Sequence, residues 1–206
     1  MPVLLPVKRA VWRLLHPTAP RGRRRRLLDS LPKGAACAEV GVWKGDFSAR
    51  ILEVVKPRKL HLIDPWRAIG GDTYEGARYG GKLDEGQAEM DELHDAVLER
   101  FARERRAGVV EVHRLPSVEA AAGLADGELD FVYVDGDHTY EGVRADLEAY
   151  APKVRPGGLL AGDDYGVVGW WDDGVTRAVD EFVAGGRAEV VSLDDNQFVL
   201  RVRGGY

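Results

Sequence analysis

Acids recur directly after short apolar runs in this chain. Val134 is followed by Asp135-Gly136-Asp137-His138, and Gly162 by Asp163-Asp164-Tyr165. If the two runs are neighbouring parallel strands, their ends lie about 5 Å apart. Asp135, Asp163 and Asp164 then converge. Three close carboxylates repel one another and need a compensating positive charge, and a divalent cation is the obvious one. All-oxygen ligation selects a hard octahedral ion such as Mg²⁺ or Mn²⁺, with water or substrate at the open positions. His138, three residues past Asp135, falls beside that ion. An imidazole titrates near neutrality, which suits a general base. The bland alternative is a set of solvated loop acids with a capping histidine.

A second constellation lies earlier in the chain. Ala38-Glu39-Val40-Gly41-Val42-Trp43-Lys44-Gly45-Asp46-Phe47-Ser48 places two glycines after an apolar run and before a helical one. Glycine there lets the backbone turn sharply and approach a ligand. The helix start offers free N–H groups to an anion. Val42 and Trp43 replace the central glycine of a dinucleotide loop, so a pyrophosphate is disfavoured. Asp64 follows 25 residues after Glu39, where a carboxylate can accept from both hydroxyls of a ribose. Together the two signals suggest an adenosine-containing ligand without a pyrophosphate. Trp43, Trp66, Trp170 and Trp171 follow apolar runs, and Tyr74, Tyr79 and Tyr165 lie in similar stretches. Such rings either wall a ligand pocket or pack loops together.

These residues need elements to position them. Strands are predicted at 35–40, 59–63, 109–113, 129–134, 159–161, 189–192 and 197–202. Helices are predicted around 47–55, 85–106, 140–151 and 175–183, with Met90, Leu93, Val97 and Phe101 at helical spacing in the second. A turn is expected at Pro156-Gly157-Gly158. Strands separated by helices imply right-handed crossovers and a parallel sheet covered on both faces. The last two strands are joined too briefly to be parallel. The expected fold is therefore α/β and doubly wound, with about seven strands, mostly parallel, and one antiparallel strand near the edge. In such sheets ligands bind beyond the carboxyl ends of the strands, at the switch point.

Composition narrows the function. The 206 residues are 45% hydrophobic and 31% charged, an ordinary globular balance. No 18-residue apolar run exists, so no membrane span is expected. The single cysteine, Cys37, excludes a disulfide framework and a cysteine-based metal cluster, fits a cytoplasmic location, and reads as an inert core thiol. Residues 1–30 hold eight Lys/Arg and one Asp, while the whole chain carries −5. This stretch, including Arg21-Gly22-Arg23-Arg24-Arg25-Arg26, reads as a basic helical N-terminal extension, and 31–206 as the domain. The acidic body argues against nucleic acid as the principal substrate. His61 and His113 fall in strands and read as structural; His16 and His94 have no evident partner. No nucleophile elbow, His-Glu-x-x-His or phosphate-loop motif occurs.

The sequence resembles class I S-adenosylmethionine (SAM)-dependent methyltransferases, specifically the metal-dependent small-molecule O-methyltransferases. The resemblance is carried by Glu39-Val40-Gly41-Val42-Trp43-Lys44-Gly45, Asp64, Val134-Asp135-Gly136-Asp137-His138-Thr139-Tyr140-Glu141-Gly142, Arg155-Pro156-Gly157-Gly158 and Asp163-Asp164. It spans roughly residues 32–202 and points to the branch with macrolide sugar methyltransferases. It implies a Rossmann-like methyltransferase fold. It implies that Glu39, Gly41, Gly45, Ser48, Asp64, Ser117 and Asp135 contact SAM. It further implies that Asp135, Asp163 and Asp164 hold Mg²⁺ (or Mn²⁺), and that His138, with Asp135, is catalytic. The expected partner is a small-molecule hydroxyl acceptor: a sugar, polyol or catechol. A membrane partner is not expected, and a homo-oligomer is left open. Two alternatives stand beside this reading: a metal-independent methyltransferase, and a nonenzymatic nucleoside-binding protein. A nicotinamide dehydrogenase is disfavoured by the altered glycine loop.

Overall fold

The computed structural model describes residues 23–69, 74, 79, 86–194 and 196–204. Seven strands form one sheet: β1 Ala36–Val40, β2 Lys59–Ile63, β3 Val110–His113, β4 Leu129–Val134, β5 Val154–Gly162, β6 Ala188–Asp194 and β7 Gln197–Val202. Their order is β3-β2-β1-β4-β5-β7-β6. Strands β1 to β5 pair in parallel. β7 runs antiparallel to both β5 and β6, so it is the one reversed strand, next to the edge. This is the doubly wound sheet the alternation of elements implies.

Seven helices are described: α1 Arg23–Ser30, α2 Asp46–Val55, α3 Gly86–Arg100, α4 Ala102–Arg106, α5 Ser117–Ala122, α6 Tyr140–Tyr150 and α7 Gly174–Ala184. Alternate strand residues enter opposite cores. Cys37, Leu60, Leu62, Phe131 and Tyr133 pack with Leu27 and Leu28 of α1, Ile51 and Val55 of α2, and Met90 and Val97 of α3. Ala36, Ala38, Val40, Val132 and Val134 pack with Ala120 and Ala121 of α5, Leu147 of α6 and Val179 of α7. Helices therefore cover both faces, and the central strands β1, β2 and β4 are buried on both sides, as a parallel sheet requires. Cys37 is fully buried, and burial pushes its thiol up to about 12.

Three local features differ from the expectations. The helix expected over 85–106 is interrupted at Phe101, whose buried ring anchors that point against α2. β5 starts at Val154, so Pro156-Gly157-Gly158 lies within the strand, and a register shift between Leu129 and Phe131 absorbs the irregularity. The six-residue α5 was not expected; its Ser-Val-Glu-Ala-Ala-Ala is too short for a periodic signal. Much of the N-terminal stretch, with His16, and most of 70–85 lie outside the described residues. No helix among the described residues is long and apolar enough to cross a membrane.

In α1, Leu27 and Leu28 project into the core beside α2, and Leu28 is fully buried. Leu28→Ala should cost about 2–5 kcal/mol, the usual range for a buried leucine left as a cavity. Urea denaturation checks this; a loss below about 0.5 kcal/mol would mean that α1 is not docked in solution.

Candidate active site

Strand order reverses between β1 and β4, and there the two strand ends touch. Gly41, at φ +86°, donates its N–H to the Ile63 carbonyl at 2.9 Å. A Cβ at Gly41 would lie 2.0 Å from the Asp135 carbonyl oxygen. Only glycine fits both that dihedral and that approach. Gly45, at φ +74°, precedes α2, whose N-terminus has no side-chain cap. That end is the place for an anionic ligand group.

Glu39, on β1, is 2% exposed and its Oε2 accepts from Ser48 Oγ at 2.5 Å. Burial pushes this carboxyl up to about 8, outweighing the Ser48 hydrogen bond. Asp64 follows β2 and is equally buried. Its Oδ2 accepts from the Trp43 N–H at 2.9 Å, and its Oδ1 from the Trp66 N–H at 2.7 Å and from the Tyr79 hydroxyl. Burial raises the Asp64 pKa, and those donors oppose the rise. A ribose would have to replace the Tyr79 hydroxyl there. Ser117, at the start of α5, donates its hydroxyl to Asp146, whose burial lifts that carboxyl to about 7.

The sequence-predicted acids meet at the ends of β4 and β5. His138 Nε2 stands 3.5 Å from Asp135 Oδ1 and 3.1 Å from Asp164 Oδ2. Burial works to lower the imidazole pKa, but the hydrogen bonds and charges of these two acids outweigh it and hold it at about 9. Arg24, from α1, reaches across the same cluster. Its Nη2 donates to Asp135 Oδ2 at 3.2 Å and to Asp163 Oδ2. The guanidinium lies 5.1 Å from the Phe47 ring centre and 5.4 Å from that of Tyr133, within cation–π range. Burial raises the Asp163 pKa, Asp135 adds to the rise, and Arg24 opposes it.

The three aspartates are thus brought to one place, and their compensating charges are protein cations. Their oxygen donors have the chemistry for Mg²⁺, but Arg24 and His138 stand between them. As the side chains are placed they do not form a metal cage. Among the described residues, the ligand atoms that do come within 4.8 Å of one another belong to His61, Glu111 and His113. Arg24 is the residue that sequence reasoning passed over. The available signal was helical phase: Arg24, Leu27, Leu28 and Leu31 stand at i, i+3, i+4 and i+7.

One side of His138 is aromatic. Its ring centre is 4.7 Å from that of Trp171, which meets Trp170 edge-on at 5.4 Å. Tyr74 packs 5.1 Å from Trp170 and donates its hydroxyl to Asp137 Oδ2 at 2.9 Å. These rings form a wall beside the imidazole. Trp66 is fully buried instead, donating its indole N–H to the Trp43 carbonyl at 3.0 Å.

A sequence model of the methyltransferase-domain family matches residues 38–165. An uncharacterized protein of Sinorhizobium fredii is 28% identical over 107 residues, 48% of this chain and 11% of the relative. The chain therefore covers about a tenth of that relative's length. The O-methyltransferase TomG from Streptomyces achromogenes, involved in tomaymycin synthesis and solved with SAM, superposes with a TM-score of 0.62 at 18% identity. That likeness covers 92% of this chain and 82% of TomG. An O-methyltransferase from Bacillus cereus, solved with S-adenosylhomocysteine (SAH), gives 0.60 at 16% identity, covering 92% and 83%. A putative rRNA-methylase from Clostridium thermocellum gives 0.63 at 10% identity, covering 92% and 98%. At these identities the likeness is one of fold.

Arg24→Gln removes the cation that Asp135 and Asp163 share. It should cost about 1.5–3 kcal/mol at pH 7, the range for a hydrogen bond to a charged group. The cost should shrink at acid pH, where the carboxyls protonate and need no partner. Denaturation of both proteins across pH checks this; a cost that does not vary with pH would place the effect in packing.

Proposed function

The chain belongs to the methyltransferase-domain family, and on that premise we propose that it is a SAM-dependent O-methyltransferase acting on a hydroxyl of a small molecule. The acceptor class is a sugar, polyol or catechol. The observation that carries the reading is His138 held by Asp135 and Asp164, one strand end away from the Gly41 loop. The solved O-methyltransferases of the same fold, one with SAM and one with SAH, support it. In this reading SAM lies over Gly41 and Gly45, with Glu39, Ser48, Asp64 and Ser117 around it. Its methyl points toward the acid cluster.

The acceptor oxygen attacks the methyl carbon in line with the sulfonium. The O–C bond forms as the C–S bond breaks, and SAH leaves. The acceptor proton passes to the neutral His138 imidazole, whose Nε2 faces Asp135 and Asp164. Asp135 and Asp164 orient the imidazole and stabilise it once protonated. The same acids keep the ring charged at neutral pH, so the neutral fraction limits the reaction. Positioning of the two reactants supplies most of the acceleration. The aromatic wall excludes water from the acceptor.

Metal dependence has two readings. Three aspartates favour Mg²⁺, which would polarise the acceptor oxygen and lower its pKa. The Arg24 guanidinium between Asp135 and Asp163 favours a metal-independent site. Activity lost on chelation and restored by Mg²⁺ selects the first; activity resistant to chelation selects the second.

SAH should bind at micromolar level, about −8 kcal/mol, while NAD should not; calorimetry showing no SAH binding, with or without NAD binding, would sink the assignment. On an acceptor found by a polyol and catechol panel, wild-type kcat/KM should climb with pH through about 9, the His138 value without metal, and level off above it. His138→Ala should lower turnover by about 10²–10⁴ and lose that climb. A variant with the wild-type rate and pH profile would remove His138 from the role of base.

A further inference from the structure

A second cluster of metal-binding side chains stands on the β2–β3 edge of the sheet, apart from the acids. His61 of β2 is register partner to Glu111 of β3, and His113 stands two residues further along β3. Alternation along a strand puts all three on one face. His61 Nδ1 lies 2.9 Å from His113 Nε2, and Glu111 Oε1 lies 3.8 Å from the same His113 nitrogen. The three ligand atoms lie within 4.8 Å of one another. Two imidazoles bound to one tetrahedral ion at Zn–N distances of 2.0–2.1 Å have nitrogens about 3.3 Å apart. The histidine pair is therefore a few tenths of an ångström from ligand spacing.

The surroundings of His61 supply an independent observation. The residue is 3% exposed, and its Nε2 is buried without a hydrogen-bond partner. Glu128 Oε1 stands 3.7 Å from that nitrogen. A histidine that binds metal through one nitrogen commonly gives its other N–H to a carboxylate, which fixes the tautomer. With Nδ1 on an ion, His61 Nε2 carries the proton and Glu128 is placed to take it. Lys59 Nζ holds the other oxygen of Glu111 at 2.6 Å, which orients the carboxylate and leaves Oε1 toward the histidines. Burial lowers the pKa of both imidazoles, which favours their neutral, ligating form.

We propose that His61, Glu111 and His113 form a site for a divalent transition metal, Zn²⁺ by its two imidazoles and one carboxylate, with water completing the tetrahedron. The ion ties edge strand β3 to β2. It is separate from the Asp135–Asp163–Asp164 cluster, whose oxygen-only donors suit a harder cation. The site does not rest on the methyl-transfer reading.

The test is titration of chelator-stripped full-length protein with Zn²⁺ by calorimetry. Co²⁺ serves as a spectroscopic probe of tetrahedral ligation. Wild type should take up one equivalent and melt at a higher temperature with Zn²⁺. Glu111→Gln and His113→Ala should each weaken Zn²⁺ binding at least tenfold and lose the thermal shift. Glu111 is partly exposed, so Glu111→Gln is read without concern for folding. Asp163→Asn should bind within twofold of wild type. The proposal is overturned if wild type shows no single-site uptake, in which case the imidazoles only share a proton. It is overturned equally if both edge-strand variants keep wild-type affinity, or if Asp163→Asn alone loses the site.

Discussion

A parallel sheet holds the ends of neighbouring strands about 5 Å apart, and here β4 and β5 are each followed directly by aspartate. That placement sets like charges against one another in a half-buried cleft. Desolvation of carboxylates is tolerated when opposite charge is close and hydrogen-bonded. The fold supplies it from two directions. His138 comes from the loop that β4 itself enters, three residues on. Arg24 comes from α1, more than a hundred residues earlier in the chain, and shares two of the acids. Two electrostatic features follow from this neutralisation: the raised pKa of His138 and the opposed influences on Asp163.

The side of the cleft proposed to take the nucleoside works by a different principle. Its acids, Glu39 and Asp64, are buried more deeply than the cluster and carry raised pKa values because of that burial. Among the described residues neither forms an ion pair; both are held by N–H and O–H donors. Such acids suit hydrogen bonding to neutral hydroxyls, whereas the cluster suits proton transfer and positive charge. The two halves meet at one backbone contact, Gly41 against the Asp135 carbonyl. Geometry can therefore pass between them although their electrostatics differ.

Most of the fold was legible because two periodicities were strong. Apolar runs such as Phe131–Val134 mark strands buried on both faces, and the brief link before Gln197 forces the antiparallel pair. Asp135, His138, Asp163 and Asp164 were legible because each follows a strand that could be found. What escaped depends on distant contacts. Arg24 sits in a run of four arginines, and only its phase with Leu27, Leu28 and Leu31 sets it apart. The His61–His113 pair is separated by 52 residues and exists only because β3 pairs with β2. Tyr79 reaches Asp64 from a glycine-rich stretch without a readable period.

The manner in which α1 is held decides what exchange of cations would require. Leu27, Leu28 and Leu31 are buried and dock the helix by apolar packing. Arg24 adds an electrostatic contact at its N-terminal end, through a long side chain that is still 31% exposed. The two attachments are mechanically separate. The guanidinium can leave Asp135 and Asp163 by side-chain rotation while the leucines keep the helix in place. A cation replacing it would have to overcome two charge-assisted hydrogen bonds and two ring contacts, but not the unpacking of a helix. The choice between a guanidinium and a metal at this cleft is therefore a local competition for carboxylate oxygens, and the fold is indifferent to its outcome.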